Sequence, residues 1–453
     1  MTSNSLQQTL KQRHITMIAL GGVIGAGLFV GSGAMIESAG PAAILSYLVG
    51  GIFVTLVMFM LGEMASRTPD SGSFSTFSSK YLGEWAGFTI GWLYWGKSMV
   101  TITVEALLLG AIIHDFFPDI SVFAGGLAML IFVIVTNSYS VKLFGEAEYW
   151  MSFAKVVTII LFILFGLSIL FGMQPQIPAP GFSNLTGHGG FMPNGFSPVL
   201  AGVMVVIFSF GGSEIAAIAA GESENPKKNV IRAVRSLVIR VMLFYVVSVS
   251  ILIFCLSWTD VDNLKSPYVS LLNMAGFTWA VAAMKIVLFV SFMSVMNSFL
   301  YSNSRMMYSL SQRGYAPKLF SKTNVQGTPV FALGLSFALC LSILIIQTIV
   351  GGDVFLTLAK MSGAIIIVVW MFIVVAHWKM RQNETTVDNK AFRVRGFPYV
   401  NLVAFLALGT VLVSRAFDPT SRTQFWVATI SLGMLIGSYF LMRNRPGFGA
   451  PSD

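Results

Sequence analysis

Apolar residues along this chain come in blocks of about twenty, set apart by short polar stretches. Twelve such blocks cover 16–36, 41–65, 85–113, 121–140, 149–172, 197–220, 236–257, 279–304, 329–350, 353–378, 398–416 and 424–442. A helix rising 1.5 Å per residue needs ~20 residues to cross roughly 30 Å of hydrocarbon, so each block is long enough to span a bilayer. Backbone amides and carbonyls find no water partners in lipid, which leaves helices as the spanning element. The pattern therefore predicts an all-α polytopic membrane protein with about 12 transmembrane helices, forming a single domain over 1–453.

Charge placement tests that count. Threading the loops alternately puts 21 of the 28 lysines and arginines on one side. Lys265, Arg415 and Arg422 alone fall on the other, and Lys97, Lys155, Lys285 and Lys360 lie inside spans. One missed span would scatter this bias, and by the positive-inside rule both termini are expected in the cytoplasm. The polar stretch Met1 to His14 precedes a first span without a convincing cleavage site, so that span is expected to be retained rather than removed as a signal peptide. The segment Gln174 to Pro198, rich in Gly and Pro and free of Lys and Arg, reads as an external loop over an entrance.

Composition agrees with the pattern: 55% of residues are hydrophobic and 10% charged, too few to cover a soluble protein of this size. The net charge of +9 sits in short loops between apolar runs and forms no basic domain, which argues against nucleic acid as a partner. Cys255 and Cys340 both lie in apolar stretches and are expected as buried thiols, with no disulfide framework and no metal site. Nothing implies a bound cofactor.

Two spans are interrupted. The first reads Gly21-Gly22-Val-Ile-Gly25-Ala-Gly27-Leu-Phe-Val-Gly31, and the sixth carries Phe208-Ser209-Phe210-Gly211-Gly212-Ser213-Glu214. Glycine in such numbers permits unwinding, while small-residue packing of the Gly-xxx-Gly kind is the other reading of the first span. A dinucleotide loop is excluded, because position 30 is Val and no strand precedes it. The interruptions stand five spans apart, so the second half enters from the opposite face. This predicts inverted repeats over 16–172 and 197–378, followed by two extra helices over 398–442. Matched discontinuous helices in two inverted halves are the sequence pointer to a transporter site near mid-membrane. Amides at Val23, Ile24, Gly25, Ala26 and Gly27 suit a carboxylate, and carbonyls near Phe208, Ser209, Phe210 and Gly211 suit an ammonium. Together they would take a zwitterion, with Phe29, Trp95, Phe208 and Phe210 as pocket walls.

Ionisable residues inside spans are costly and usually face a cavity or a partner. Glu214, beside the second interruption, is a candidate proton carrier; capping of freed amides is its other reading. Lys155 is either a tethered cation near the first interruption or a snorkelling interfacial residue. Lys97 and Glu105 share span three eight positions apart, about 80° around the helix, so they do not pair directly and either could line the cavity. Lys285 and Lys360 lie near span starts and read as interfacial anchors.

These stretches, with Gly62-Glu-Met, Val141-Lys-Leu-Phe-Gly-Glu-Ala-Glu-Tyr-Trp, Gly221-Glu-Ser-Glu-Asn-Pro and Ser304-Arg-Met-Met-Tyr, resemble bacterial amino acid permeases of the amino acid–polyamine–organocation superfamily. Gly-Phe-Thr-Ile-Gly-Trp-Leu-Tyr-Trp (87–95) and Gly189-Gly-Phe-Met-Pro-Asn-Gly-Phe look most like its 4-aminobutyrate permeases. The resemblance implies a LeuT-like five-plus-five inverted-repeat fold with helices 1 and 6 broken. It also implies proton-coupled uptake of a small amino acid, 4-aminobutyrate or a neutral one, across the bacterial inner membrane, the proton serving as coupling ion. Lys155 would then stand in for sodium and Glu214 would sense protons. Lys97 and Lys360 depart from the expected pattern and open the way to a substrate of different charge or length. Exchange of one amino acid for another is the alternative, and a non-transporting sensor a further one; no nucleophile-and-base motif points to an enzyme.

Overall fold

The computed structural model describes residues 10–174, 178–350, 354–384, 392–417, 422–445 and 448–449. Lys390, the first residue of the span expected over 353–378 and most of the polar start lie outside them. In chain order the first crossing is α1 (Gln12–Gly21), α2 (Ala26–Phe29) and α3 (Gly31–Ala39), followed by α4 (Ala43–Arg67). Next come α5 (Ser73–Leu82), α6 (Glu84–Phe116), α7 (Val122–Tyr139), α8 (Val141–Leu170) and the short α9 (Ser183–Thr186). The sixth crossing is α10 (Phe196–Phe210) and α11 (Ile215–Ala220), and the seventh is α12 (Pro226–Cys255). Two short helices, α13 (Val261–Leu264) and α14 (Pro267–Met274), lead to α15 (Thr278–Gln312). The chain ends with α16 (Val330–Val350), α17 (Val354–Gln382), α18 (Tyr399–Ser414) and α19 (Arg422–Met442).

Among the described residues, 10 helices are long and apolar enough to cross a membrane. The broken first crossing and α12, whose apolar part is Met242–Cys255, complete the twelve. The two halves are broken at corresponding places, in the first and sixth crossings, as the LeuT-like inverted-repeat fold requires. Burial sorts the crossings by role. A one-sided pattern of exposed apolar side chains is clear on α8, where Leu161 and Leu164 are about three-fifths exposed while Lys155 and Ile159 are fully buried. The segment Phe196–Ala220, by contrast, has its most apolar stretch wholly buried. The sixth crossing thus forms the axis of the molecule, and α8 is part of its wall.

Two boundaries differ from the sequence pattern in ways that matter. The fifth crossing begins at Val141 instead of near 149, because Ser140 ends α7 and at once caps α8, its hydroxyl accepting from the Leu143 amide at 3.1 Å. Glu146 and Glu148 therefore belong to the helix. The seventh crossing starts at Pro226, a proline at the first turn, so Lys227, Lys228, Arg232 and Arg235 lie on the helix instead of in a loop. Cys255 is half-buried and Cys340 buried, and both are free thiols.

Candidate substrate site

The first interruption spans Gly22 to Gly25 and the second Gly211 to Glu214. They touch. Gly212 sits at φ +107°, and a Cβ there would lie 2.1 Å from the Gly22 carbonyl oxygen, so the two unwound backbones cross where only glycine fits. The Tyr245 hydroxyl from α12 lies 2.9 Å from the Val23 carbonyl and 2.8 Å from that of Ser209, tying the breaks together through one proton. A third tie is the Ser209 hydroxyl, which reaches the Gly27 carbonyl at 2.7 Å and that of Val205 at 2.9 Å. Gly27 packs directly on Ser209, where a Cβ would approach its Cα to 2.4 Å. Gly27 and Ser209 are thus committed to holding the two crossings together.

Lys155 is fully buried, and its ammonium donates to the carbonyls of Gly21 at 2.7 Å and Ile24 at 3.0 Å. The snorkelling alternative fails, because α8 starts early enough to place Lys155 four turns deep. Glu148 lies seven positions before it, on the same helical face, and interacts with it electrostatically. That carboxylate accepts from Asn297 at 3.0 Å and Ser152 at 3.2 Å, and from the Ser294 hydroxyl. The break in the first crossing is therefore bordered by a buried lysine–glutamate pair, of which only the lysine was singled out from the sequence. The spacing of seven was the available signal, hidden by placing Glu148 before the span.

Span three reaches both breaks. Glu105 accepts from the Ala26 amide at 3.3 Å, so a protein carboxylate stands among the amides expected to hold a substrate carboxylate. Lys97 lies at the other break. A Cβ on Gly211 would fall 3.0 Å from the Phe208 carbonyl oxygen and 3.2 Å from the Lys97 ammonium, which also sits 4.4 Å above the Phe299 ring. Glu214 caps its own break, both carboxylate oxygens lying 3.1 Å from the Gly212 amide, and interacts electrostatically with Lys97. The capping contact is the one the structure shows. Phe208, Phe210 and Phe29 are buried at the crossing, Phe210 against Tyr245 at 4.6 Å and Phe29 edge-on to Tyr268 at 5.0 Å. Trp95 is set apart from them, edge-on to Trp92 at 5.5 Å with its carbonyl accepting from Asn303. Lys285 pairs with Asp115 at 2.7 Å at the end of α6, consistent with an anchor.

Packed contacts flank the crossing of the two breaks at both ends. At one end Tyr268 of α14 packs between Phe29 and Phe162, and Asn194 of the loop after α9 donates to the Ser38 carbonyl at 2.9 Å. The other end is closed by Glu222, which accepts from Arg305 at 2.8 Å and Tyr301 at 2.9 Å, all three buried. The backbone of Leu10 pairs there with Glu222 and Glu224.

Comparison with known proteins agrees with this architecture. The chain matches the family model for amino acid permeases over residues 14–444. It is 43% identical to the gamma-aminobutyric acid permease of Bacillus subtilis, covering 98% of this chain and 95% of that one. A probable GABA permease of Pseudomonas aeruginosa is 40% identical, with 95% and 93% covered. The aromatic amino acid transport protein AroP of Corynebacterium glutamicum is 35% identical, with 100% and 99% covered. Among solved structures, a manganese transporter of Eremococcus coleocola superposes with a TM-score of 0.61 over 98% of both chains at 11% identity, a likeness of fold. The chain belongs to the amino acid permease family.

Proposed function

We propose that this protein takes up a small amino acid, 4-aminobutyrate or a neutral one, across the cytoplasmic membrane by proton symport, with both termini in the cytoplasm. The observation that carries the proton coupling is the Lys155 ammonium bonded to the Gly21 and Ile24 carbonyls. Those carbonyls have no helical partners, because the break removes them from the ladder. A hydrogen-bond donor must satisfy them, and here the lysine supplies it, with a positive charge and no metal ion needed. Loss of its proton would forfeit two charge-assisted hydrogen bonds and leave Glu148 without its counter-charge, so the conformation of the break and the protonation of the pair are linked. Glu214 is a second buried acid at the opposite break, in position to couple the same change to the sixth crossing.

Amino acid transport itself is supported by family membership, and the choice of substrate by the relatives named above. Proteoliposomes decide the coupling. An inwardly directed proton gradient should drive accumulation of labelled 4-aminobutyrate or alanine above the external concentration. Uptake that needs internal amino acid and ignores the pH gradient would replace symport with exchange.

A further inference from the structure

Away from the two breaks, α17 turns one stripe of side chains into a groove. Val368, Met371, Phe372, Val375 and Lys379 fall at i, i+3, i+4, i+7 and i+11 and so share a helical face. That face lines a cavity of about 480 Å³ whose other walls are the end of α5, the first turn of α6, and α18 and α19. Trp85, edge-on to Phe372 at 5.8 Å, forms the wall on the α6 side. Lys379 is the one charged residue among the described residues that line it.

The depth of the groove has a counterpart in the bilayer. From Val368 to Lys379 the stripe advances about 16 Å along α17, at 1.5 Å per residue. Half of a hydrocarbon core of roughly 30 Å is about 15 Å, so the apolar cavity runs the depth of one leaflet and ends in a cation. An acyl chain below a phosphate has that length and that order of polarity.

The mouth favours an anion. The Lys379 side chain is exposed, and its ammonium has no hydrogen bond or ion pair to any described residue. Lys379 also borders a second cavity of about 250 Å³ between α17 and α18, where Trp378 and Gln382 supply polar edges. At this end of α17, Arg67, Arg381 and Arg393 share only Glu63 and Glu384, so the surroundings are positive before Lys379 is added. Lys80 lies 5.3 Å above the ring of Tyr81, which lines the larger cavity. The nearby acid Glu84 is turned to the Tyr439 hydroxyl at 3.4 Å.

We infer that this groove is a binding site for an anionic phospholipid: one acyl chain fills the larger cavity, the phosphate rests on Lys379, and the glycerol headgroup lies over Trp378 and Gln382. A zwitterionic lipid would bring a second cation to a mouth that already holds one, so the site discriminates by headgroup charge. The inference does not depend on which solute the protein carries or on how its movement is coupled.

Native mass spectrometry of the full-length protein in detergent tests it, with dioleoyl phosphatidylglycerol, dioleoyl phosphatidylcholine or glycerol 3-phosphate as the titrant. Wild-type protein should bind one phosphatidylglycerol about fivefold or more tightly than phosphatidylcholine, the order that one interfacial lysine contributes. Glycerol 3-phosphate, which has the phosphate but no chain, should not compete. K379M should erase the preference and K379R should keep it. K322M removes a lysine that lines neither cavity and should also keep it. L432W, which places a bulky ring in the larger cavity, should weaken both lipids together. Equal affinity of the wild type for the two lipids overturns the inference without any variant. So does a preference that survives K379M, one that K322M weakens as much, or lipid binding untouched by L432W. Glycerol 3-phosphate binding as tightly as the lipid would make this a site for a soluble phosphate and overturn it as well.

Discussion

Replacing Gly212 with alanine tests whether the two breaks truly cross. The residue has φ +107°, where a side chain is strained by roughly 1–2 kcal/mol, and its Cβ would stand 2.1 Å from the Gly22 oxygen and 2.7 Å from the Gly22 carbon. Backbone cannot swing aside as a side-chain tip can, so a further overpacking cost of typically 1–3 kcal/mol applies. The total of about 2–5 kcal/mol falls on the closest backbone contact between the first break and the second. Gly22→Ala is the internal comparison, since its Cβ would meet the flexible tip of Ile215 at 2.9 Å, and Gly437→Ala the blank, with nothing within 4 Å. Thermal unfolding of purified protein in detergent, followed by uptake in liposomes, should rank Gly212→Ala well below Gly22→Ala and leave Gly437→Ala at or above wild type. If Gly212→Ala unfolds and transports like wild type, the crossing does not hold the site together and the geometry built on it is wrong.

Lys155→Ala should abolish gradient-driven accumulation while retaining substrate binding, because it leaves two buried carbonyls unpaired; normal accumulation by this variant in the liposome assay would remove Lys155 from the coupling. Glu214→Gln keeps an oxygen for the Gly212 amide but removes the charge, so the protein should fold and show a flattened dependence of uptake on pH, and an unchanged profile would count against a role in coupling. Arg305→Ala should cost about 3–5 kcal/mol by stranding the buried Glu222 carboxylate, read as a large loss of thermal stability that Glu222→Gln in the same chain partly restores.

Much of this was legible from the sequence because the bilayer imposes coarse rules. Apolar blocks locate crossings, and clustered glycines locate the breaks, since in lipid an unwound segment is tolerated only where protein lines it. Lys155 could be suspected for the same reason, as a charge too costly to be idle. What the sequence hid was partner choice. Nothing local says that Glu105 meets Ala26 while Lys97 meets Gly211; that depends on the tilt of α6 between the two halves. Ser209 was assigned to substrate, yet its hydroxyl is spent on Gly27 and Val205. Tyr245, on α12 far along the chain, gave no signal at all, although its single proton links both breaks.

The two closures differ in kind, and the difference bears on how the molecule alternates. The outer one is mainly aromatic: Phe29, Tyr268 and Phe162 meet through ring contacts at 4.6–5.0 Å, with hydrogen bonds at the Tyr268 hydroxyl, 3.0 Å from Ser248, and from Asn194 to the Ser38 carbonyl. Ring contacts are weakly directional and can slide as α14 shifts. The inner one is a buried ion pair with a shared tyrosine, tightened by Tyr301 stacked on Phe144 at 4.2 Å and by the Leu10 backbone. Parting Arg305 from Glu222 in a dry site strands two charges, so this closure yields only if water enters with the opening or if new partners take over. Glu222 lies directly after α11, and Leu10 just before α1, so the inner half-helices of both broken crossings carry the closure. A change in the charge state of the Lys155–Glu148 pair acts on the end of α1, and one in Glu214 acts on the start of α11. Under the symport reading proposed above, Glu214 and the Lys155–Glu148 pair therefore stand at one end of the same two short helices and the Glu222–Arg305 closure at the other, which would give protonation a direct mechanical route to that closure.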